Sequence, residues 1–570
     1  MPVIARLPGL TQLREYRRDW LRGDVLAGVT VAAYLIPQVM AYAGLAGLAP
    51  VVGLWTIMPA LLIYAVLGSS RQLSIGPEST TALMAAAVVA PLAAGDPGRH
   101  AALAAALAVV VGALALLAWV LRLGFVADLL SHPILVGYLA GVAVIMAVGQ
   151  LEKISGVPVT GDTLPAEVVS FVRGLDKIQT GTLVLGMATL AFLFAVQWRF
   201  PRLPGPLLAV GLATAAVAVF DLQARGIDVV GTVAAAFPTP ALPPLADLRD
   251  LVLPAVGVLL VGYTDNVLTG RAFAAKGGYD VDPNQELLAL GTANIGAGLF
   301  KGFPVSSSGS RTAIAAASGA RTQVYSLVAL ASVVLVLLFL RPVLALFPTA
   351  ALGALVIYAA TRLVDVAGFR RLARFRRTEL MIAIAALVGV LVFDILYGIL
   401  VAIGLSVAEL LYRVARPHDA IQGLVPGLAG MHDVDDYPNA KTIPGLIVYR
   451  YDSPLFFANA QDFKRRARAA ARQYDGQLKW FVLNVEANVE VDITALDALE
   501  ELRAELTGRG VVFALARVKQ DLLDDLQAYS LATKIGPELL FPTLPTAVEA
   551  YERWTREHSP PAQDYPAADA

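Results

Sequence analysis

The 570-residue chain has no cysteine, which removes disulfides, thiolate catalysis and cysteine-ligated zinc together. Its five histidines are scattered and show no metal-ligand spacing, so no metal site is expected. Charge is also scarce. Only 16% of residues are charged, where a soluble globular protein carries about a quarter. A formal net charge of −1 gives no field that would gather nucleic acid, and no nucleic-acid partner is expected. The first 22 residues are polar and arginine-containing, without a cleavable apolar core, so no signal peptide is read there.

What the chain has instead is hydrocarbon. Hydrophobic residues make up 57% of it, and its mean hydropathy is +0.66. Apolar stretches recur almost without pause from Gly23 to Arg416, then stop. At roughly 20 residues per span, that region holds about 12 to 14 transmembrane helices. The spans are placed near 24–44, 46–67, 76–93, 101–121, 133–150, 180–197, 204–220, 252–270, 284–300, 307–319, 323–341, 344–361, 378–395 and 397–414. Asp221 to Asp250 reads as an external loop. Arg14, Arg17, Arg18 and Arg22 precede the first span, and Arg370, Arg371, Arg374, Arg376 and Arg377 crowd the loop before span 13. A cytoplasmic N-terminus with fourteen spans puts both clusters on the positive, inner side. Abundant alanine and a preference for arginine over lysine fit a high-GC bacterial genome, so the membrane expected is the bacterial cytoplasmic one.

Two breaks interrupt the apolar pattern. Phe303-Pro-Val-Ser-Ser-Ser-Gly-Ser-Arg-Thr312 places an arginine and several serines at membrane depth, where an ionisable group costs several kcal/mol unless paired or solvated. It reads as a short extended segment turning into a half-helix, whose N-terminus offers free N–H groups and a positive dipole end. Leu73-Ser-Ile-Gly-Pro-Glu-Ser-Thr-Thr-Ala82 repeats the pattern near the front. Dividing the spans seven and seven makes these breaks the third of each half. An odd number per half makes the halves inverted repeats, and such paired breaks point to a transporter binding site. The blander alternative, small residues serving helix packing, does not need the arginine.

Asp265, in Gly262-Tyr-Thr-Asp-Asn-Val-Leu-Thr269, lies in the middle of span 8. A carboxylate there must be protonated, paired or bound to a cation. Moving an anion into a negative cell costs about 2.3 kcal/mol per charge per 100 mV, which a co-transported cation offsets. Asp265 is therefore the candidate coupling residue, taking a proton or, with Thr269, a sodium ion; the alternative is a fixed salt bridge to Arg311. Glu78, at the first half-helix N-terminus, is read either as a group protonated during transport or as a helix cap. No other cofactor is implied. After Arg416 the pattern changes: strand-like Leu446–Tyr451, Trp480–Val485 and Gly510–Arg517 alternate with amphipathic helices, which implies a small α/β domain.

Together these motifs resemble the SulP family of anion permeases. The resemblance rests on Ala27 to Leu48, Gly68 to Pro77, Asp282-Pro-Asn-Gln-Glu-Leu-Leu-Ala-Leu-Gly291, the Phe303 run and Val491 to Leu502, which occur in the family's order. It implies a fold of fourteen spans in two inverted seven-span repeats, arranged as core and gate domains with half-helices at spans 3 and 10. A cytoplasmic STAS domain follows. The organisation is then 1–22 cytoplasmic N-terminal segment, 23–416 transmembrane transport domain, 417–445 linker and start of the cytoplasmic region, 446–555 STAS domain and 556–570 disordered tail.

By the same resemblance, Ser308, Gly309, Ser310 and Arg311 form the span-10 anion site, and Gln38 and Tyr42 line it from span 1. Many family members carry glutamate where this chain has Asp265, which leaves the coupling ion open. In soluble STAS relatives a phosphorylated serine follows the signature aspartate. Here Ile493 follows Asp492 and cannot accept phosphate, so a structural, oligomerising or partner-binding role is expected. The expected function is elevator-type secondary transport of a small anion, sulfate above all, by a homodimer among membrane lipids, coupled to protons or sodium. Alternatives are a bicarbonate or dicarboxylate symporter and an uncoupled channel or exchanger. No nucleophile–base set indicates an enzyme.

Overall fold

The computed structural model describes residues 7–558, apart from 129–130, 162, 201–202, 233–237, 244–247 and 475. Two compact units divide the chain, Met1–Ser406 and Val407–Ala570. The first unit is helical. Its main helices are α1 (Leu21–Leu45), α2 (Pro50–Leu67), α3 (Ser79–Ala93), α4 (Pro97–Val120), α5 (His132–Val148), α6 (Thr180–Arg199) and α7 (Gly205–Phe220). There follow α8 (Leu248–Gly277), α9 (Pro283–Leu299), α10 (Gly309–Ala317), α11 (Val324–Phe339), α12 (Thr349–Leu363) and α13 (Arg377–Ala415). Each predicted span up to the twelfth meets one helix, in order. Of the stretch from Asp221 to Asp250, residues 233–237 and 244–247 lie outside the described residues.

Among the described residues, 7 helical segments are long and apolar enough to cross a membrane, and α3, α7 and α11 are apolar but shorter. The starts of these helices follow from local chemistry. Asp96 accepts from the Gly98 and Arg99 amides ahead of Pro97, and Asp282 accepts from Asn284 and Gln285 ahead of Pro283. Each is an Asp cap followed by proline, whose missing N–H is no loss in a first turn.

Spans 13 and 14 share the single helical element α13, which nonetheless reverses direction. A Cβ placed on Gly398 would lie 2.7 Å from the Cα of Val390, and one on Gly389 would meet the Val401 side chain at 4.0 Å. In a straight helix, residues eight and twelve apart are about 12 and 18 Å apart. The element therefore folds back on itself between Val390 and Gly398.

The helices pack as two sets. α9 lies along α4 and α2, α11 along α1 and α2, and α8 along α4, while α12 packs on α5 and α6 and α7 on α6. α1 touches both sets, through α10 and α11 on one side and α7 and α12 on the other. Backbone approaches backbone closely in these contacts: a Cβ on Gly53 of α2 would sit 1.9 Å from the Val39 carbonyl oxygen of α1. Two residues of strand precede each half-helix. β1 (Ile75–Gly76) leads into α3 and β2 (Ser306–Ser307) into α10. They pair antiparallel, Ile75 with Ser307 and Gly76 with Ser306.

The second unit carries a six-stranded sheet in the order β4-β3-β5-β6-β7-β8. Its strands are β3 (Asp419–Leu424), β4 (Met431–Asp433), β5 (Leu446–Tyr451), β6 (Trp480–Asn484), β7 (Val512–Ala516) and β8 (Leu540–Phe541). β5 to β8 are parallel, and β3 and β4 form an antiparallel hairpin on the β5 edge. The sheet thus begins inside 417–445, the stretch expected to be a linker. That hairpin is short, and β3 alternates buried with half-buried positions, so it carries no continuous apolar run. The helices α14 (Ala460–Arg472), α15 (Ile493–Gly508), α16 (Gln520–Ala528), α17 (Leu531–Ile535) and α18 (Leu544–His558) complete the unit. Residues 556–558 belong to α18 rather than to a tail, and 559–570 lie outside the described residues. Asp492 caps α15 by accepting from Ala495, and also receives the Phe457 amide. Ile493 beside it is 69% exposed.

Candidate functional site

The two half-helices are fastened together by more than the β1–β2 rungs. The Ser308 amide donates to the Ser74 carbonyl at 2.9 Å. The Ser74 amide donates to Thr312 Oγ1 at 3.0 Å, and that hydroxyl donates back to the Ser308 carbonyl at 2.7 Å. Neighbouring helices hold both approaches. Asn294 of α9 exchanges amide hydrogen bonds with the backbone of Val305, and Gln323 donates to the Ser70 and Leu73 carbonyls. Glu286 of α9, fully buried, accepts from the Tyr64 hydroxyl, the Ser69 amide and hydroxyl and the Asn266 side chain. The loop ahead of β1 is thereby tied to α2, α8 and α9.

Arg311 fills the space between the two helix starts and is 0% exposed. Its Nε donates to Ser74 Oγ at 3.2 Å, and Nη1 donates to the Pro77 carbonyl at 2.8 Å and to Gln38 Oε1 at 3.2 Å. Glu78 lies 3.8 Å from Nη1. The expected alternative pairing of Arg311 with Asp265 is absent among the described contacts. Asp265 instead accepts from Ser307 Oγ at 2.6 Å, with Thr269 one turn further along α8. Gln38, bound to Arg311 through its oxygen, donates through its nitrogen to the Tyr42 hydroxyl at 3.0 Å.

A cavity of about 580 Å³ opens beside this cluster. Gln38, Tyr42, Glu78, Asp265, Gly309 and Ser310 all line it, while Arg311 backs it from within the fold. Ser308 Oγ lies 3.2 Å from Ser310 Oγ. A Cβ on Gly309 would meet nothing within 4 Å, so this glycine leaves the amide end of α10 open to the cavity. Helix-start amides, hydroxyls and a buried guanidinium converge there. Such a set binds a small anion without a metal.

Glu78 occupies the N-cap position of α3, yet its side chain accepts no helix amide; the Ser79 hydroxyl donates to it at 3.0 Å. Sequence reading missed further cavity residues, Tyr34 and Arg362 among them. Tyr34 precedes Gln38 by four residues, as Gln38 precedes Tyr42, so helical spacing alone aligns all three on one face. Arg362, at the end of α12, lines the cavity from the other helix set, and no local pattern marks it.

Comparison with known proteins agrees with this geometry. Residues 21–386 match the profile of the sulfate permease family, and residues 437–547 match the STAS domain. A probable sulfate transporter of Mycobacterium tuberculosis strain CDC 1551 is 59% identical over 548 residues, covering 96% of this chain and 98% of that protein. The chloroplastic sulfate transporter 4.1 of Arabidopsis thaliana is 31% identical, over 95% of this chain and 82% of its own length. In three dimensions the chain resembles the murine solute carrier 26 family member A9 anion transporter in its inward-facing state. The TM-score is 0.89 at 24% identity, covering 97% of this chain and 94% of that one. The transmembrane domain of the cyanobacterial bicarbonate transporter BicA matches with a TM-score of 0.60 at 21% identity, over 67% of this chain and 98% of its own.

Proposed function

The chain belongs to the sulfate permease family, is an anion transporter rather than an enzyme, and on that footing we propose sulfate as its substrate and cation-coupled uptake as its mode. The single observation that carries the reading is the antiparallel junction of two half-helix starts with Arg311 buried between them. A tetrahedral dianion at this junction would receive the amides and hydroxyls around Ser308, Gly309 and Ser310. Gln38 and Tyr42 would close the site from α1, and Arg311 would supply positive potential.

Asp265, with Thr269 one turn further along α8, is joined to the junction through Ser307. A cation bound by Asp265, a proton or a sodium ion, would set the position of Ser307 and so link its own occupancy to that of the anion. Transport would proceed by movement of the set containing α3 and α10 against the set containing α5, α6 and α12, as an elevator. The protein would work as a homodimer in the bacterial cytoplasmic membrane, with the STAS domain inside the cell as a structural or partner-binding module.

Sulfate uptake into proteoliposomes, with proton and sodium gradients imposed separately and bicarbonate and fumarate as competitors, tests the reading. Concentrative uptake driven by one gradient is expected. Gradient-independent flux would replace the symporter with a channel or exchanger. Transport of a competitor in place of sulfate would replace the substrate.

A further inference from the structure

The cavity places an acceptor where an anion site calls for donors. Glu78 stands at the start of α3, facing the start of α10. One of its carboxylate oxygens accepts from Ser79. The other is buried without a hydrogen bond, 3.8 Å from Arg311 Nη1. Arg311 likewise keeps Nη2 buried without a partner. The junction therefore holds one unfilled carboxylate acceptor and one unfilled guanidinium donor. The charged and titratable groups around Glu78 are Arg311 on α10, Asp265 on α8 and Tyr34 and Tyr42 on α1. Tyr358 and Arg362 of α12 line the same cavity.

Oxyanions divide by whether they bring a hydrogen. Sulfate has acceptor oxygens alone, and so does an ionised carboxylate; placed together in a water-poor site, they repel and leave each other's lone pairs unfilled. A protonated carboxyl has an O–H to donate to sulfate. Bicarbonate carries its own O–H, which an ionised carboxylate accepts. Sites that demand a particular hydrogen bond discriminate strongly, because a mismatched substrate strands buried polar groups.

We infer that Glu78 is a specificity-determining residue: sulfate binds only with a proton on Glu78, one proton for each sulfate, whereas a hydrogen-bearing oxyanion binds to the ionised carboxylate with none. The proton comes from solvent onto the Glu78 carboxylate, and no bond within the anion is broken. The inference rests on the anion-transport reading above and narrows it, by placing one coupled proton inside the binding site, apart from whichever cation Asp265 takes.

Calorimetric titration of the full-length protein in lipid nanodiscs, repeated in buffers of different ionisation enthalpy, counts protons taken up as sulfate binds. The expected result is one proton per sulfate at alkaline pH, with affinity falling tenfold per pH unit there. Bicarbonate binding should draw no proton. Glu78→Gln, whose amide donates at every pH, should bind sulfate with no proton uptake and no such slope. Proton uptake that persists in Glu78→Gln and vanishes in Asp265→Asn would overturn the proposal. So would sulfate binding to the unaltered protein with no proton exchanged, a result that does not depend on any variant folding. Bicarbonate bound at every pH with sulfate never bound would refute sulfate as substrate while upholding Glu78 as the discriminating acceptor. Binding of neither anion would overturn both readings.

Discussion

Replacing Glu286 with glutamine changes no volume, yet it should loosen the anion site from a distance. The carboxylate receives four donors at 2.7 to 3.1 Å: the Ser69 amide and hydroxyl on Oε1, the Asn266 side chain on Oε2, and the Tyr64 hydroxyl shared between the two oxygens. Hydroxyls of Tyr64 and Ser69 can turn and accept. The Ser69 amide cannot, and Asn266 can accept only by turning its amide over, which buries its NH₂ where Oδ1 now stands without a partner. In either arrangement a glutamine loses one bond to a charged acceptor and strands one buried N–H. A bond to a charged group contributes about 1.5–3 kcal/mol, and a stranded buried donor costs about 1–3 kcal/mol. The two overlap, so a loss of about 2–4 kcal/mol is expected. It falls on the loop that leads into β1, so sulfate uptake should drop together with thermal survival. Survival can be read by size-exclusion chromatography of heated, detergent-solubilised protein. A Glu286→Gln protein with the heat resistance and uptake of the unaltered chain would refute an ionised acceptor at this position.

Other expectations are separable from this one. Asp265→Asn should abolish gradient-driven accumulation of sulfate in proteoliposomes while leaving heat resistance within about 1 kcal/mol, since an amide can still accept from Ser307; unchanged accumulation would remove Asp265 from coupling. Gly53→Ala should cost at least about 1–3 kcal/mol, because the added carbon lands 1.9 Å from a carbonyl oxygen. Gly211→Ala in α7, where a Cβ meets nothing within 4 Å, should instead stabilise by about 0.5–1 kcal/mol. Heating the two variants side by side checks both signs. Asp492→Ala removes acceptors for the Ala495 and Phe457 amides and should lower the STAS domain's stability by about 1–2 kcal/mol, measured by urea-dependent proteolysis of the full chain.

Much of the helical unit was legible in the sequence, because apolar length and proline–aspartate starts are local signals. Both half-helices were legible for the same reason: polar residues at membrane depth stand out against their surroundings. Three features were not. Arg311 is bonded to Ser74, Pro77 and Gln38, more than 230 positions away, and nothing local distinguishes those partners from Asp265. Glu286 reads in sequence as an acidic residue in a helix's first turn, an ordinary place for one, whereas its partners come from residues 64–69 and from Asn266. The β3–β4 hairpin was hidden by its shortness and by a β3 in which buried and half-buried positions alternate. In the half-helices themselves, polar residues located the breaks but could not supply their mutual pairing, in which two strand rungs are reinforced by hydrogen bonds among Ser74, Ser308 and Thr312.

Those two rungs bear on how such a protein can change over generations. The junction is drawn largely with main-chain amides and carbonyls, and the tethers from Asn294, Gln323 and Glu286 meet it from behind. Side chains that face the cavity, among them Tyr34, Glu78 and Ser310, take little part in holding the junction together. A descendant could therefore exchange its cargo by altering a few cavity-facing positions, while the cradle itself is inherited unaltered.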